Sequence, residues 1–244
     1  MPKFLEVKNT SFGDSINDFI YSFPGTAHLK DIKSFKYLSS NSNDLDTYNF
    51  KSEKELLGQT VFELEQIMEN KWPTDFAKQV YKTDAHVIES GKPLVMNNII
   101  LLTGPGYVSV RKLMKSPIFS FEGTITSILT LGVDFTKSIK TQTLWKIYKN
   151  FYKSNPIVSI RFMEYIGLKD WFTQPLTIRE IDCLVSIIQF HTMKNVANAL
   201  NISQRTVECH IENIKSKIKC GNLQKTIEKI IITSDGFSFD GFDL

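Results

Sequence analysis

Between Ser203 and Lys219 the sequence places Arg205, Glu208, Cys209, Glu212 and Ser216 at helical spacing, and loads Lys215, Lys217 and Lys219 toward the end. On a helix these residues share one face. Val207, Ile211, Ile214 and Ile218, at steps of four, three and four, make the opposite apolar seam. A solvent-facing stripe of this kind holds no nucleophile paired with a base. Its chemistry is hydrogen bonding and charge attraction toward another polar surface. Double-helical DNA offers two matching targets, phosphates for the cations and base edges for the shorter polar groups. A carboxylate such as Glu208 or Glu212 is repelled by phosphate but accepts a hydrogen bond from cytosine N4 in the major groove. Glu208 has a competing structural reading, a pair with Arg205 three residues earlier.

The elements that must position this stripe are legible on either side of it. In "LTIRE", Thr177 and Glu180 stand at capping-box spacing. Ile178, Ile181, Leu184, Val185 and Ile188 then predict a helix over 178–189. A second helix follows Thr192 and presents Val196, Ala199 and Leu200, and the turn "NIS" brings Ser203 to the N-cap of the third. A fourth runs from about Leu223, with Ile227, Ile230 and Ile231 on one side. A short helix, a tight turn and a helix with an exposed polar stripe make a helix-turn-helix, whose second member enters a major groove.

Three runs, "LTIRE", Lys194 to Ser203 and "TVECHIENIKSKI" at Thr206 to Ile218, together resemble the LuxR/FixJ-type DNA-binding domain over Leu176 to Ile230. The resemblance implies a four-helix domain that binds double-stranded DNA as a homodimer. It implies base contacts at Glu208, Cys209 and Glu212 and phosphate contacts at Lys194, Ser203, Thr206 and Lys217, and Gln204, Arg205 and Lys215 complete the candidate interface. The sequence departs from the family where Phe190 replaces a glycine and Asn195 a glutamate. Its acidic recognition face also keeps open a reading as an interaction adaptor with a degenerate DNA-binding domain.

The N-terminal half reads differently. "AHLKDIK" and "FKYLSSN" are two short strands, "KSEKELLG" reads as a helix closed by Gly58, and "TDFAKQVYKTDAHVIESG" as a longer helix capped by Thr74 with an apolar face of Phe76, Val80, Ala85, Val87 and Ile88. "PLVMNNIILL", "GYVSVRKLMKSPIF" and "GTITSILTLGVDF" are three β-segments joined by "TGPG" and "FEG". The order predicts an α+β domain, an antiparallel sheet curled over helices. "DAHVIESGKPL" and "DFT" at Asp134 to Thr136 resemble a PAS domain, over about residues 15–136, and imply a sensory or dimerising module that holds a small molecule, or only side chains, between sheet and helices. The acyl-homoserine-lactone type of sensor is the alternative, although its spaced aromatic and acidic pocket is not evident.

Cofactor readings meet chemical limits. The N-terminal half holds no cysteine, which excludes a covalent flavin adduct. His86 falls away from the place of a haem-ligating histidine and reads as a surface or core residue. Asp31, Trp72, Tyr81 and Arg111 are candidates to line a cavity, each with packing or solvation as the alternative. Cys209 and Cys220 with His191 or His210 fit no usual zinc spacing, and His210 reads as structural. Nothing in the sequence requires a cofactor, and the ligand-pocket residues stay unassigned.

Between the halves, residues 137–172 are basic and aromatic, with a helix expected after the last strand, capped by Asp134 or Thr136 and broken by Pro156. This segment reads as a solvated linker laid on the sensor or as a signalling helix that pairs with a second subunit. The net charge of +3 conceals a gradient: −2 over residues 1–136, +5 over 137–172, +3 over 173–234 and −3 beyond. The basic charge that DNA needs lies in the C-terminal half. Three unevenly spaced cysteines suit a reducing cytoplasm, and neither a signal peptide nor a bilayer-length apolar run is present. No phosphate-cradling glycine loop, HExxH or GxSxG motif suggests an enzyme. The expected organisation is a PAS-like sensor at 15–136, a linker or signalling region at 137–172 and an all-α helix-turn-helix domain at 173–234, together a cytoplasmic transcription regulator.

Overall fold

A computed structural model describes residues 12–234 apart from 70, 74, 154 and 220. The chain forms two units: residues up to 105 with 109–134, and 106–108 with those from 135 onward.

The first unit is α+β. Helix α1 (Phe12–Ser22) precedes strands β1 (Thr26–Asp31) and β2 (Tyr37–Ser40), then come α2 (Ser42–Tyr48), α3 (Val61–Met68) and α4 (Phe76–Ser90), and last β3 (Leu94–Leu102), β4 (Val108–Phe119) and β5 (Ile125–Asp134). The strands form one sheet in the order β2-β1-β5-β4-β3, with β1 antiparallel to β2 and β5, and β4 antiparallel to β5. This is the sheet-and-helix arrangement that the PAS resemblance implies. Side chains alternate across β1. Ala27 and Leu29 pack with Ile20 of α1 and Leu129 of β5 on the outer face, while Thr26, His28 and Lys30 point to the inner side. There the helices contribute Leu45, Tyr48, Leu64, Met68 and Ala77 to a second core. Gly132 lies opposite Thr26, and a Cβ at Gly132 would stand 2.3 Å from the Thr26 hydroxyl oxygen, so strand contact there requires glycine.

Two local expectations need correction. "KSEKELLG" forms no α-helix; it holds one 3-10 turn at Glu53–Glu55. Its glutamates are engaged elsewhere: the Glu55 carboxylate accepts from the Lys51 and Ser52 N–H groups, and Glu53 accepts from the Ser40 N–H at 2.8 Å. Thr74, expected to cap the long helix, lies outside the described residues. The described N-cap of α4 is Asp75 in a left-handed conformation, with no side-chain cap bond.

The second unit is all-α: α5 (Thr141–Phe151), α6 (Ile157–Tyr165), α7 (Ile178–Phe190), α8 (Met193–Leu200), α9 (Gln204–Lys217) and α10 (Leu223–Ser234). Residues 135–172, read from sequence as either a linker laid on the sensor or a signalling helix, group with these helices. Leu144, Trp145 and Tyr148 bury the apolar face of α5, and Trp145 and Tyr148 meet Phe162 of α6 at ring centroids of 4.8 and 5.5 Å. Asp182 of α7 fastens this layer, accepting from the Trp145 indole N–H at 2.8 Å and from Lys149 at 2.6 Å. Neither Asp134 nor Thr136 caps α5, which begins after Lys140 without a side-chain cap. Asp134 instead accepts from the Ser109 hydroxyl at 2.6 Å.

Candidate nucleic-acid interface and inner cavity

The helices around the polar stripe are fixed locally. Thr177 and Glu180 cap α7 reciprocally, Glu180 N–H to the Thr177 hydroxyl at 3.2 Å and Thr177 N–H to the Glu180 carboxylate at 2.7 Å. Thr192 caps α8 and Ser203 caps α9, accepting from the Asn195 and Thr206 N–H groups at 3.3 and 3.0 Å. The left-handed C-cap of α7 falls on His191, at φ 59°, and that of α8 on Asn201, at φ 53°. Val207, Ile211 and Ile214 are buried, while Ile218 is partly buried just past the helix end. There the chain leaves the helix to bridge with Phe172, and the Lys219 N–H donates to the Trp171 carbonyl at 2.8 Å.

Lys194, Ser203, Gln204, Arg205, Thr206, Cys209, Glu212 and Lys215 are exposed, and Glu208 is half-buried. Ser203, Gln204, Arg205, Thr206, Cys209, Glu212 and Lys215 are thus exposed along α9 and its N-cap, while Val207, Ile211 and Ile214 of the same helix are buried. Internal partners already occupy part of this exposed set. Glu208 accepts from Gln204 at 3.1 Å and stands 3.6 Å from the Arg205 guanidinium, and Lys215 donates to Glu212 at 2.8 Å. These pairs offset the negative charge of the polar stripe. Lys217 is placed differently: its ammonium turns inward and donates to both Glu180 oxygens at 2.7–2.8 Å, its side chain only 13% exposed. Burial raises the Glu180 carboxyl, but Lys217 and the Thr177 cap outweigh it and hold Glu180 below its ordinary value. Lys217 therefore locks α9 to the start of α7. Cys183, buried in α7, has its thiol pushed up to about 11 by burial. His210 is half-buried on α9.

In the first unit, the space between sheet and helices is a cavity of about 130 Å³ whose lining includes Trp72 and Arg111, two of the four candidate positions. Asp31 instead closes a turn, accepting from Lys33 and Ser34, and Tyr81 is exposed beside Phe35 and Phe62. His86 is exposed on α4. Among the described residues no cluster of His, Cys, Asp or Glu is suited to hold a metal.

The cavity's strongest polar features lie at residues the sequence reading passed over. Lys30 and Lys115 converge on Asp84 of α4, Lys30 at 3.1 Å and Lys115 in a close contact with the other oxygen. Burial raises Asp84, yet the two ammonium groups outweigh it and hold its carboxyl below the ordinary range. Beside them His28 donates through Nδ1 to Asp44 at 2.9 Å, and Ser40 donates to the same carboxylate oxygen at 3.0 Å. Burial lowers His28, so this is a neutral imidazole on a carboxylate and not an ion pair. Arg111 donates to Thr47 at 2.8 Å and Ser109 at 2.7 Å. A period-two reading of charged residues would have found them: Lys30 follows Thr26 and His28 on the inner side of β1, and Lys115 follows Arg111 and Leu113 on that of β4.

Residues 174–230 match the family described as bacterial regulatory proteins, luxR family. No curated protein matches the chain. Among solved structures, a Vibrio cholera VqmA–ligand–DNA complex is 21% identical, covering 93% of this chain and 90% of that one at a TM-score of 0.47. A phage VqmA–DPO complex is 20% identical, covering 93% of both at 0.47. The PAS domain of Bordetella pertussis BvgS is 16% identical, covering 57% of this chain and 96% of that one at 0.45.

Proposed function

We infer that this chain, a LuxR-type helix-turn-helix regulator with a PAS-like N-terminal domain, controls transcription by coupling a small molecule in the inner cavity to DNA binding by α9. It acts by binding rather than catalysis. The observation that carries the DNA-binding reading is the exposed polar face of α9, flanked by capped helices within a span that matches the luxR family.

On this reading α9 enters the major groove. Lys194, Ser203 and Thr206 contact phosphates, Glu208, Cys209 and Glu212 face bases, and Gln204, Arg205 and Lys215 border both. Lys217, bound to Glu180, reaches phosphate only by exchanging that partner, so its role is to hold the helix. The protein binds double-stranded DNA as a homodimer, which predicts a two-fold symmetric site. The proposed compartment is the cytoplasm, and no described helix is long and apolar enough to cross a membrane.

Selection of fragments from a random DNA pool by the full chain tests the reading. Enrichment of one two-fold symmetric sequence is expected. Recovery of an unenriched pool contradicts sequence reading and favours an adaptor that uses the acidic face of α9 on a protein partner.

A further inference from the structure

The charges around the inner cavity balance. Lys30, Lys115 and Arg111 stand against Asp84, which binds both ammonium groups, Asp44, which lies beside a neutral His28, and Asp134, 3.8 Å from Arg111. A charged occupant would upset this balance in low-dielectric surroundings, so the occupant that fits is neutral. The space, about 130 Å³, is of the order that accepts a single benzene-sized body, ~150 Å³.

Within that balance the two lysines are not equivalent. Lys30 is held twice, by Asp84 at 3.1 Å and by the face of the Tyr37 ring, whose centroid lies 4.6 Å away and favours the cation. Lys115 shares Asp84 and adds only a long contact of 3.4 Å to the Val80 carbonyl. Burial, with Lys30 beside it, pushes the Lys115 ammonium down to about 8 despite Asp84. An amine on a cavity wall that gives up its proton so near neutrality is a nucleophile, and burial next to a second cation is a general way of activating lysine toward carbonyl groups.

A second feature, independent of charge, stands directly opposite. Thr130 of β5 is the cross-strand partner of Lys115 of β4, which puts their Cβ atoms about 5 Å apart on the inner face of the sheet. The Thr130 hydroxyl and the Trp72 indole N–H are buried, the residues 3% and 8% exposed, and have no hydrogen-bond partner among the described residues. Both residues line the cavity. Buried polar groups of native proteins are almost always satisfied, and the oxygen of a neutral ligand would satisfy these. The remaining walls are largely apolar and aromatic, including Val61, Phe76, Ile99 and Leu113.

We propose that Lys115 is a covalent attachment point, forming a reversible imine with a small apolar aldehyde or ketone whose oxygen is received by the Thr130 hydroxyl or the Trp72 N–H. The proposal rests on the cavity being the sensor site and names the chemistry by which that site holds its ligand. The ammonium first releases a proton to solvent, and the free amine attacks the carbonyl carbon: a C–N bond forms and the C=O π pair moves to oxygen. Transfer of a proton from nitrogen to oxygen gives the carbinolamine. The proton released at the start then returns to the hydroxyl, which leaves as water while the nitrogen lone pair closes the C=N bond. One positive charge enters as ammonium and one remains as iminium beside Asp84, so the cavity stays balanced.

The test incubates the full chain at pH 8 with butanal or benzaldehyde, reduces the imines with cyanoborohydride and maps the alkylated lysines by peptide mass spectrometry. Lys115 should be trapped at aldehyde concentrations roughly tenfold below those that alkylate an exposed lysine such as Lys82. Lys115→Arg, which keeps the charge and loses the amine, should leave no lysine of that reactivity, and Thr130→Val should weaken trapping at Lys115 several-fold. Alkylation of Lys115 no more readily than of Lys82 overturns the imine assignment. Calorimetric titration with the matching alcohols, butanol and benzyl alcohol, then judges the sensor reading separately: saturable binding leaves it standing, and no binding, with no small molecule extracted from the purified chain, overturns it as well.

Discussion

The inner cavity and the face of α9 are built from the same kinds of charged residue, yet the two regions use them in opposite ways. In the cavity, Lys30, Asp84 and Lys115 are at most 3% exposed and have nowhere to turn but to one another. On the helical unit, Arg205, Glu212 and Lys215 are 84%, 70% and 50% exposed, and their pairings are single contacts within one helix. Buried charges attract strongly but have surrendered much more hydration, so removing one partner is severe. Exposed pairs contribute only ~0–1 kcal/mol and exchange partners readily, as the DNA-facing role proposed for this surface requires. Burial makes a charge a constraint on fold and ligand; exposure leaves it available for recognition.

The largest effect that would sharpen this contrast is at Asp84. Asp84→Asn leaves two buried ammonium groups without their anion and should destabilise the N-terminal unit by about 3–5 kcal/mol. Lys115→Met, which leaves one cation on one anion and fills the space with an apolar chain, should be neutral or stabilising. Urea denaturation of the full chain, followed by tryptophan fluorescence, measures both; equal losses for the two variants would break the contrast. The pH response separates them further. Asp84 and Glu180 are held below their ordinary values of 3.8 and 4.5, so their contribution is present above those values and is lost as pH falls through the lower folded-state ones. Lys115, held at about 8 against an ordinary 10.5, has the reverse effect. Its cost is complete below pH 8 and is relieved as pH rises toward 10.5. Lys115→Met should flatten that alkaline rise.

A middle-sized effect lies at the border between the regions' two behaviours. Lys217 belongs by sequence to the recognition helix but by structure to a mostly buried pair with Glu180. Lys217→Ala should cost about 2–3 kcal/mol of stability in the helical unit, against less than ~1 kcal/mol for Lys215→Ala. Thermal melts of the two variants decide it, and equal, small losses would return Lys217 to the exposed set. The smallest expected change is at His191, a non-glycine residue at φ 59°. His191→Gly removes left-handed strain at some entropic cost and should stabilise by roughly 0.5–1 kcal/mol; a lowered melting temperature would mean that the imidazole contributes more than the strain costs.

The two regions also differ in how much of them the sequence exposes to reading. Helices α7 to α10 follow from features only three or four residues apart, the Thr177–Glu180 box, the Ser203 cap and the Val207–Ile214 seam, and such local signals survive without knowledge of the fold. The cavity cluster joins residues separated by 54 and 31 positions, and nothing local announces that Lys30 and Asp84 will meet. A partial signal was present: Asp84 sits seven residues after Ala77 and three before Val87, all buried on one face of α4. The segment after β5 was legible in one respect only. Leu144, Trp145 and Tyr148 declare that α5 buries a face, but its partner, Asp182 on α7, lies 37 residues from Trp145. At the end of α7 the left-handed C-cap falls on His191, one residue past Phe190, where the family usually carries a glycine.

The central claim, that the exposed charges act on DNA and the buried ones do not, is tested most directly by the salt dependence of binding between the full chain and its selected DNA site. Phosphate neutralisation releases counterions, so the logarithm of the association constant should fall linearly and steeply with the logarithm of salt concentration. Lys215→Ala should reduce the slope by roughly one, and Lys115→Met should leave it unchanged. A slope near zero for the native chain, or one that Lys115→Met alters as much as Lys215→Ala, would contradict the account.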